Sequence, residues 1–274
     1  MSTSSRFKKW VIPGIGAISG AALCYYKFYD VADQDAEKSS TIKWDSNWDR
    51  RDPKSLVKPM KTHNETEQNL YNKKIEQHKP TATRHLILIR HGQYHTNGQT
   101  DAQRTLTELG RLQAEATAKR LLELNIPYNL IVKSTMARAQ ETSTFIENSL
   151  KNVEVRSDSL LTEGAPIRPE PPLGHWKSEK HFFQDGPRIE SAFRKYFHRA
   201  DPSQKQDSFT VLVCHANVIR YFVCRALQFP PEGWGRINLN HASITWIAIF
   251  PSGRVVLCCL GDSGHISATN ISNK

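Results

Sequence analysis

No C-x-x-C pair occurs among the five cysteines, Cys24, Cys214, Cys224, Cys258 and Cys259, and their odd number leaves one thiol over. That argues against a disulfide framework, and the adjacency of Cys214 and His215 is not a usual zinc-ligand spacing. Reduced thiols packed as small hydrophobes are expected. The chain also lacks a G-x-x-x-x-G-K nucleotide loop, an H-E-x-x-H motif and a carboxylate cluster, so neither metal nor cofactor is expected. It has no long Lys/Arg block either. Its net charge of +10 divides evenly, with +5 on residues 1–84 and +5 on residues 85–274. Without a concentrated basic footprint, nucleic-acid binding drops out.

Long apolar runs are scarce as well. At 38% hydrophobic and 23% charged residues over 274 positions, with a mean hydropathy of -0.54, the chain is too polar to cross a membrane many times. One uncharged stretch stands out, Trp10 to Tyr26, preceded by Arg6, Lys8 and Lys9, with the first acidic residue only at Asp30. As a helix it would extend about 25 Å, the short limit for a bilayer core of roughly 30 Å. Trp10, Tyr25 and Tyr26 stand at its ends, where amphipathic rings favour the interface, and Gly16 and Gly20 make a face for helix pairing. A cleaved signal peptide is the competing reading, but its apolar region is usually about 7–15 residues, shorter than this one. Pro13 and the glycines penalise a buried soluble helix. Residues 1–29 are therefore read as a retained membrane anchor.

Residues 30–83 are polar, with scattered prolines, and read as a linker. Within them Trp44, Asp45, Trp48 and Asp49 form a Trp-Asp pair repeated four residues apart. Two indoles are costly to leave in water, so they either pack on the domain or dock into a neighbouring molecule. The residues alone leave both open.

Residues 84–274 alternate apolar runs with helical segments, the pattern of an α/β domain. Strands are predicted at 85–89, 129–133, 153–156, 209–214, 244–250 and 255–260. Helices are predicted at 107–124 with Thr107 as N-cap, and at 136–150, 186–198 and 217–227. The turn Pro251-Ser252-Gly253-Arg254 joins the last two strands as a hairpin, so the sheet is mixed. In open α/β sheets ligands bind beyond the carboxyl ends of the strands. There the first strand delivers Arg90, His91 and Gly92, another delivers His215 and Ala216, and a third leads to Ser134 and Arg138. Two imidazoles, two guanidiniums and a helix N-terminus suit a phosphoryl group: one imidazole attacks phosphorus while fixed cations hold its oxygens.

These residues resemble the histidine phosphatases of the phosphoglycerate mutase type. Arg90-His91-Gly92 matches the signature, followed by Asn97. Leu106, Thr107, Gly110, Gln113 and Ala114 match a second motif, and Ser134, Arg138, Ala139 and Thr142 a third; Leu161, Glu163 and Gly164 match the acid loop, and Cys214, His215 and Ala216 the second histidine. The resemblance implies a three-layer sandwich with a mixed, mostly parallel sheet. It implies a phosphohistidine at His91, phosphate contacts from His215, Arg90, Arg138, Asn97 and Ala216, and leaving-group protonation by Glu163. Gln93-Tyr94-His95-Thr96 departs from the glycolytic mutases, and their Arg-Arg-Tyr-Gly stretch is missing, so hydrolysis is expected instead of phosphate shuttling. The sequence is most similar to the family's mitochondrial serine/threonine protein phosphatase branch, although that branch commonly has Ser where this chain has Gly92. That likeness implies phosphorylated protein substrates, a single-pass mitochondrial anchor with the outer membrane favoured, and a homo-oligomer formed through Trp44, Asp45, Trp48 and Asp49. A tethered scaffold and a small-molecule phosphatase are the alternatives.

Overall fold

The computed structural model describes residues 43–60, 64–174 and 177–273. The apolar stretch 10–26 lies outside them, and no helix among the described residues is long and apolar enough to cross a membrane.

Six strands form one sheet: β1 (Arg84–Arg90), β2 (Leu130–Ser134), β3 (Glu154–Asp158), β4 (Ser208–Cys214), β5 (Ile244–Ile249) and β6 (Val255–Asp262). Their order is β3-β2-β4-β1-β5-β6. The first four run parallel, and β5 and β6 return antiparallel as a hairpin. Because strand side chains alternate between faces, β1 divides itself between two cores. Ile87 and Ile89 pack with Ala118, Leu121, Ala139 and Ile146 from the helices α3 (Glu108–Glu123) and α4 (Ala137–Ser149). Leu86 and Leu88 pack instead with Ile189, Phe193, Val218 and Phe222 from α5 (Glu179–Tyr196) and α6 (Ala216–Ala226). Helices thus cover both faces, as expected for a three-layer α/β sandwich.

Thr107 caps α3 by accepting the Gly110 N–H at 3.0 Å, as its position predicts. Three features differ from the sequence expectation. α5 begins at Glu179, seven residues before the predicted start, and carries Pro187 inside it. Residues 53–77, read as linker, hold a short helix α1 (Pro53–Leu56) and a longer α2 (Glu65–Gln77); neither has a buried residue. Cys258 is exposed and Cys259 half-buried, whereas Cys214 and Cys224 are buried as expected; all four are free thiols.

The Trp-Asp element lies against the body of its own chain. The Trp48 indole donates to the Gly253 carbonyl at 2.8 Å and meets Phe193 at 6.0 Å between ring centres. Asp45 and Gln228 exchange two hydrogen bonds of 2.9 Å each. Asp49 and Arg199 form a buried ion pair at 2.7 Å, and Arg199 also donates to the Ser46 carbonyl at 2.6 Å. Gly253 sits at φ +87, where an added Cβ would stand 2.7 Å from the Ser46 oxygen and 2.8 Å from the Arg199 guanidinium carbon. Only glycine permits that approach.

Candidate active site

β2, β4 and β1 are adjacent and parallel, with Arg90 level with Cys214 and Lys133 with Val213. Their carboxyl ends therefore line up, and the loops beyond them bring His91, His215 and Ser134 together. The His91 and His215 rings lie 5.1 Å apart. Both are buried, and burial, with the surrounding cations, lowers their pKa values well below the usual histidine range. Both rings are neutral near pH 7.

His91 Nδ1 is 2.8 Å from the Gly92 carbonyl. A carbonyl only accepts, so Nδ1 carries the proton and the lone pair resides on Nε2. Arg138 Nε donates to that Nε2 at 3.2 Å, and its guanidinium lies 4.6 Å over the Tyr94 ring. His215 Nε2 meets Ser134 Oγ at 2.8 Å, while its Nδ1 is buried with no protein partner. Ser134 Oγ also accepts the Met136 N–H at 3.4 Å. With that serine hydroxyl donating to Nε2, the unpartnered Nδ1–H remains to meet an anion. Ala216 opens α6 directly after His215, which makes no side-chain cap bond, so the helix presents its N-terminal dipole to the same spot.

The loop holding the first motif is shaped by close backbone approach. A Cβ on Gly92 would lie 2.4 Å from the Gly110 oxygen, and one on Gly110 only 1.9 Å from the Gln93 oxygen. Thr142, buried in α4, accepts the Gly92 N–H at 3.0 Å and donates to the Arg138 carbonyl at 2.7 Å. Motif positions that carry no charge thus fix those that do.

Glu163 joins the site from the loop beyond β3. Its loop is held by Arg188, which donates to the carbonyls of Thr162 and Glu163 at 2.6 and 3.2 Å. Asp185 adds to the grip by accepting the Ala165 N–H at 2.9 Å. Burial raises the carboxyl's pKa, a shift only partly offset by the Gly164 N–H and Arg138. Burial pushes the Arg90 guanidinium down to about 10, with Glu163 opposing the shift and Arg220 and Arg138 adding to it. It stays charged at neutral pH. Asn97 differs from the rest of the set in being exposed. Among the described residues no group of three or more His, Cys, Asp or Glu is arranged to hold a metal ion.

Several participants escaped the sequence reading. Asp101 accepts the Ala137 N–H at 2.9 Å and pairs with Arg138 at 3.4 Å, steadying that side chain. Asn217 donates to the Gly164 carbonyl at 3.3 Å and accepts from Arg220 at 3.2 Å. His241, ahead of β5, lies 5.7 Å from His91 ring to ring and contacts Arg90. Asp101, opening a short 3-10 turn, and His241 lie 37 and 151 positions from the arginines they contact, so local pattern carries no signal. Asn217 stood beside the second-histidine motif, but as a polar residue opening a helix it reads as a cap.

The model of the histidine phosphatase superfamily, branch 1, matches residues 86–166 and 174–259. The Drosophila mojavensis protein called serine/threonine-protein phosphatase Pgam5, mitochondrial, is 57% identical over 234 residues, covering 84% of this chain and 81% of that one. The Xenopus laevis protein of the same name is 54% identical over 233 residues, covering 85% of each. Among solved structures, a phosphoglycerate mutase from Plasmodium falciparum is similar at 31% identity and a TM-score of 0.49, covering 68% of this chain and 94% of that one.

Proposed function

This chain belongs to the histidine phosphatase superfamily, branch 1, and from that premise we propose that it is a mitochondrial, membrane-anchored phosphatase of phosphoserine and phosphothreonine in proteins. The observation that carries the chemistry is the convergence of His91, His215, Arg90 and Arg138 on one buried spot, with Glu163 charge-coupled to both arginines. The substrate class and compartment follow the relatives, which are named mitochondrial serine/threonine-protein phosphatases.

The phosphate displaces Arg138 from His91 Nε2. That lone pair attacks phosphorus, forming an N–P bond as the ester P–O bond breaks. Arg90, Arg138, His215 Nδ1–H and the Ala216 N–H hold the non-bridging oxygens as charge spreads over them, and Asn97 closes the pocket from its loop. Glu163, protonated more readily than an ordinary carboxyl because of its burial, gives its proton to the departing serine or threonine oxygen. It then takes a proton from water, whose oxygen attacks phosphorus, releasing phosphate and regenerating His91.

Residues 84–274 form the catalytic domain, 30–83 the linker, and the uncharged run 10–26 a single-pass anchor, with the outer mitochondrial membrane favoured. Homo-oligomers form through the surface made where the segment carrying Trp44, Asp45, Trp48 and Asp49 packs on its own domain, with Asp49, buried against Arg199, holding the segment in place. This is supported by a cavity beside that segment, lined by Trp48, Arg50, Phe193, Arg225 and Phe229 among others; Phe229 is 56% exposed. Such a surface offers apolar and cationic contacts to a second copy.

The experiment is turnover of a phosphopeptide panel and of small phosphate esters in excess chelator, with acid-labile phosphate measured on the enzyme. Wild type is expected to favour phosphopeptides and to form the phosphoenzyme, and His91→Ala to do neither. Equal rates on small esters would favour a small-molecule phosphatase. Full loss of activity in both proteins, with partners still bound, would favour a scaffold.

A further inference from the structure

Arg90 can serve a phosphate only if its guanidinium is turned correctly, and much of what turns it lies outside the family motifs. The group has five N–H donors and no acceptor. Nη1 donates to the carbonyls of Leu239 and Asn273, the latter at 3.2 Å, and Nη2 lies 2.9 Å from His241 Nε2. Three donors are thereby taken. The Nε–H, buried without a protein partner, and the second Nη2 hydrogen remain. Those two sit on adjacent nitrogens and can meet two oxygens of one phosphoryl group.

His241 is 1% exposed, and its state follows from its partners. Since Arg90 can only donate, Nε2 must accept, so the ring is neutral with its proton on Nδ1. Burial and the Arg90 charge agree, pushing the imidazole down to about 3. Nδ1 meets Ser272 Oγ at 2.9 Å, and the His241 N–H donates to the Ser272 carbonyl at 2.8 Å. Ser272 Oγ also accepts from Gln113 Nε2 at 2.9 Å, and Gln113 Oε1 accepts the Gln93 N–H at 2.9 Å. These hydrogen bonds form a ring that the backbone from Arg90 to Gln93 closes. It leaves the first motif at Gln93, passes through Gln113, Ser272 and His241, and returns at Arg90.

We propose that His241, held in its Nδ1–H tautomer by Ser272 of the C-terminal tail, is a positioning residue that aims the Arg90 guanidinium at the phosphoryl group. This rests on the reading of Arg90 as a phosphate ligand. It gives the last residues of the chain a part in substrate binding although none of them need touch substrate. Without His241, Nη2 loses its acceptor and the guanidinium is free to rotate toward other oxygens. Without the Ser272 hydroxyl the ring loses the partner that keeps its proton on Nδ1. Its proton can then shift to Nε2, where an N–H would face an N–H.

The test is the inhibition constant of inorganic phosphate, with kcat and KM on a phosphoserine peptide and the thermal midpoint, for the full chain. Arg90→Ala is measured alongside His241→Ala, His241→Gln and Ser272→Ala. His241→Ala is expected to raise the phosphate inhibition constant about tenfold. It should lower kcat/KM by about 10- to 100-fold, the scale seen when an outer group that orients a ligating side chain is removed. His241→Gln, whose amide oxygen can accept from Arg90, should recover most of that loss even where its thermal midpoint stays low. Ser272→Ala should move phosphate affinity in the same direction by less. If His241→Ala does not fold, His241→Gln and Ser272→Ala carry the comparison. Unchanged phosphate affinity in His241→Ala, or equal activity losses in the Ala and Gln variants, overturns the inference. With His241→Ala unfolded, unchanged affinity in Ser272→Ala does so. Should Arg90→Ala itself bind phosphate as wild type does, the reading of Arg90 fails instead.

Discussion

Removing the Asp49 carboxylate should destabilise the protein more than most single changes outside the sheet. Asp49 accepts from the Arg199 backbone N–H at 2.8 Å, from Nε at 3.2 Å and from Nη2 at 2.7 Å, and both side chains are 1% exposed. Burial alone would raise this carboxyl's pKa, yet the bonds to Arg199 hold it below the usual value. The attraction therefore outweighs desolvation. Breaking a buried pair on one side leaves the guanidinium only a longer, half-exposed partner, Asp52 at 3.8 Å, and costs about 3–5 kcal/mol, with Asp52 pulling the value toward the lower end. For a domain of this size each kcal/mol moves the thermal midpoint by roughly 2–4 °C; the two ranges together predict a fall of about 6–20 °C for Asp49→Ala. The segment has an escape, however. If it lifts off, Arg199 reaches water and the fall is smaller, but Trp48 then leaves Phe193 and its fluorescence shifts to the red. Protease cleavage near Arg50 and Arg51 should accelerate as well. Replacing both partners, Asp49→Val with Arg199→Met, should recover most of the midpoint, because no buried charge remains unpaired. Light scattering on the same samples reads the oligomer: Trp44→Ala with Trp48→Ala should lower the assembly mass. An Asp49→Ala protein with the wild-type midpoint, fluorescence and protease resistance would refute the argument about the ion pair.

Two further outcomes are expected. Glu163→Gln should damage hydrolysis of phosphoserine far more than that of an activated aryl phosphate, whose leaving group needs little protonation; equal losses on both would assign the proton to another group. Stability should decline as pH falls below about 6.5, because burial lowers His241 to about 3 and, with Arg84, His198 to about 4. Between those values and 6.5 the unfolded chain binds protons that the fold excludes, so the contribution is full above 6.5 and is lost on acidification. At about 1.4 kcal/mol per pKa unit the combined effect is on the order of several kcal/mol. Denaturant midpoints at pH 7 and pH 4.5 for wild type and His198→Gln check it, and an identical pH dependence in the two proteins would contradict the assignment to His198.

The central strands β1 and β4 were legible because burial on both faces writes itself as an unbroken apolar run, Leu-Ile-Leu-Ile and Phe-Thr-Val-Leu-Val. α3 announced its start through Thr107, whose side chain does what a capping residue does. α2 left no comparable trace because it buries nothing, so no apolar period marks it. The first turns of α5 were hidden by Pro187, which reads as a helix-opening residue but here lies inside the helix, and Phe183, 82% exposed, adds no core-facing period.

The same division runs through the active site, for a reason of topology. His91, His215 and Arg138 each follow a strand in the chain, and three neighbouring parallel strands must bring their ends to one edge. Their meeting could therefore be argued from local pattern alone. His241 reaches Arg90 only because β5 pairs antiparallel with β1, so that the residues preceding β5 return to the end where β1 finishes; Ala242 N–H to the His91 carbonyl and Arg90 N–H to the Ser243 carbonyl, both 3.2 Å, continue that pairing past the strands. Nothing near His241 in the chain encodes this contact. Asp49 and Arg199, separated by 150 positions, belong to the same class. The Trp-Asp repeat singles Asp49 out without saying what it pairs with, a lone arginine after a helix reads as solvated, and only the fold turns the two into a buried pair. Catalytic groups that chain order already brings to a strand end are thus visible in advance, whereas the groups that aim and brace them depend on pairings between distant segments.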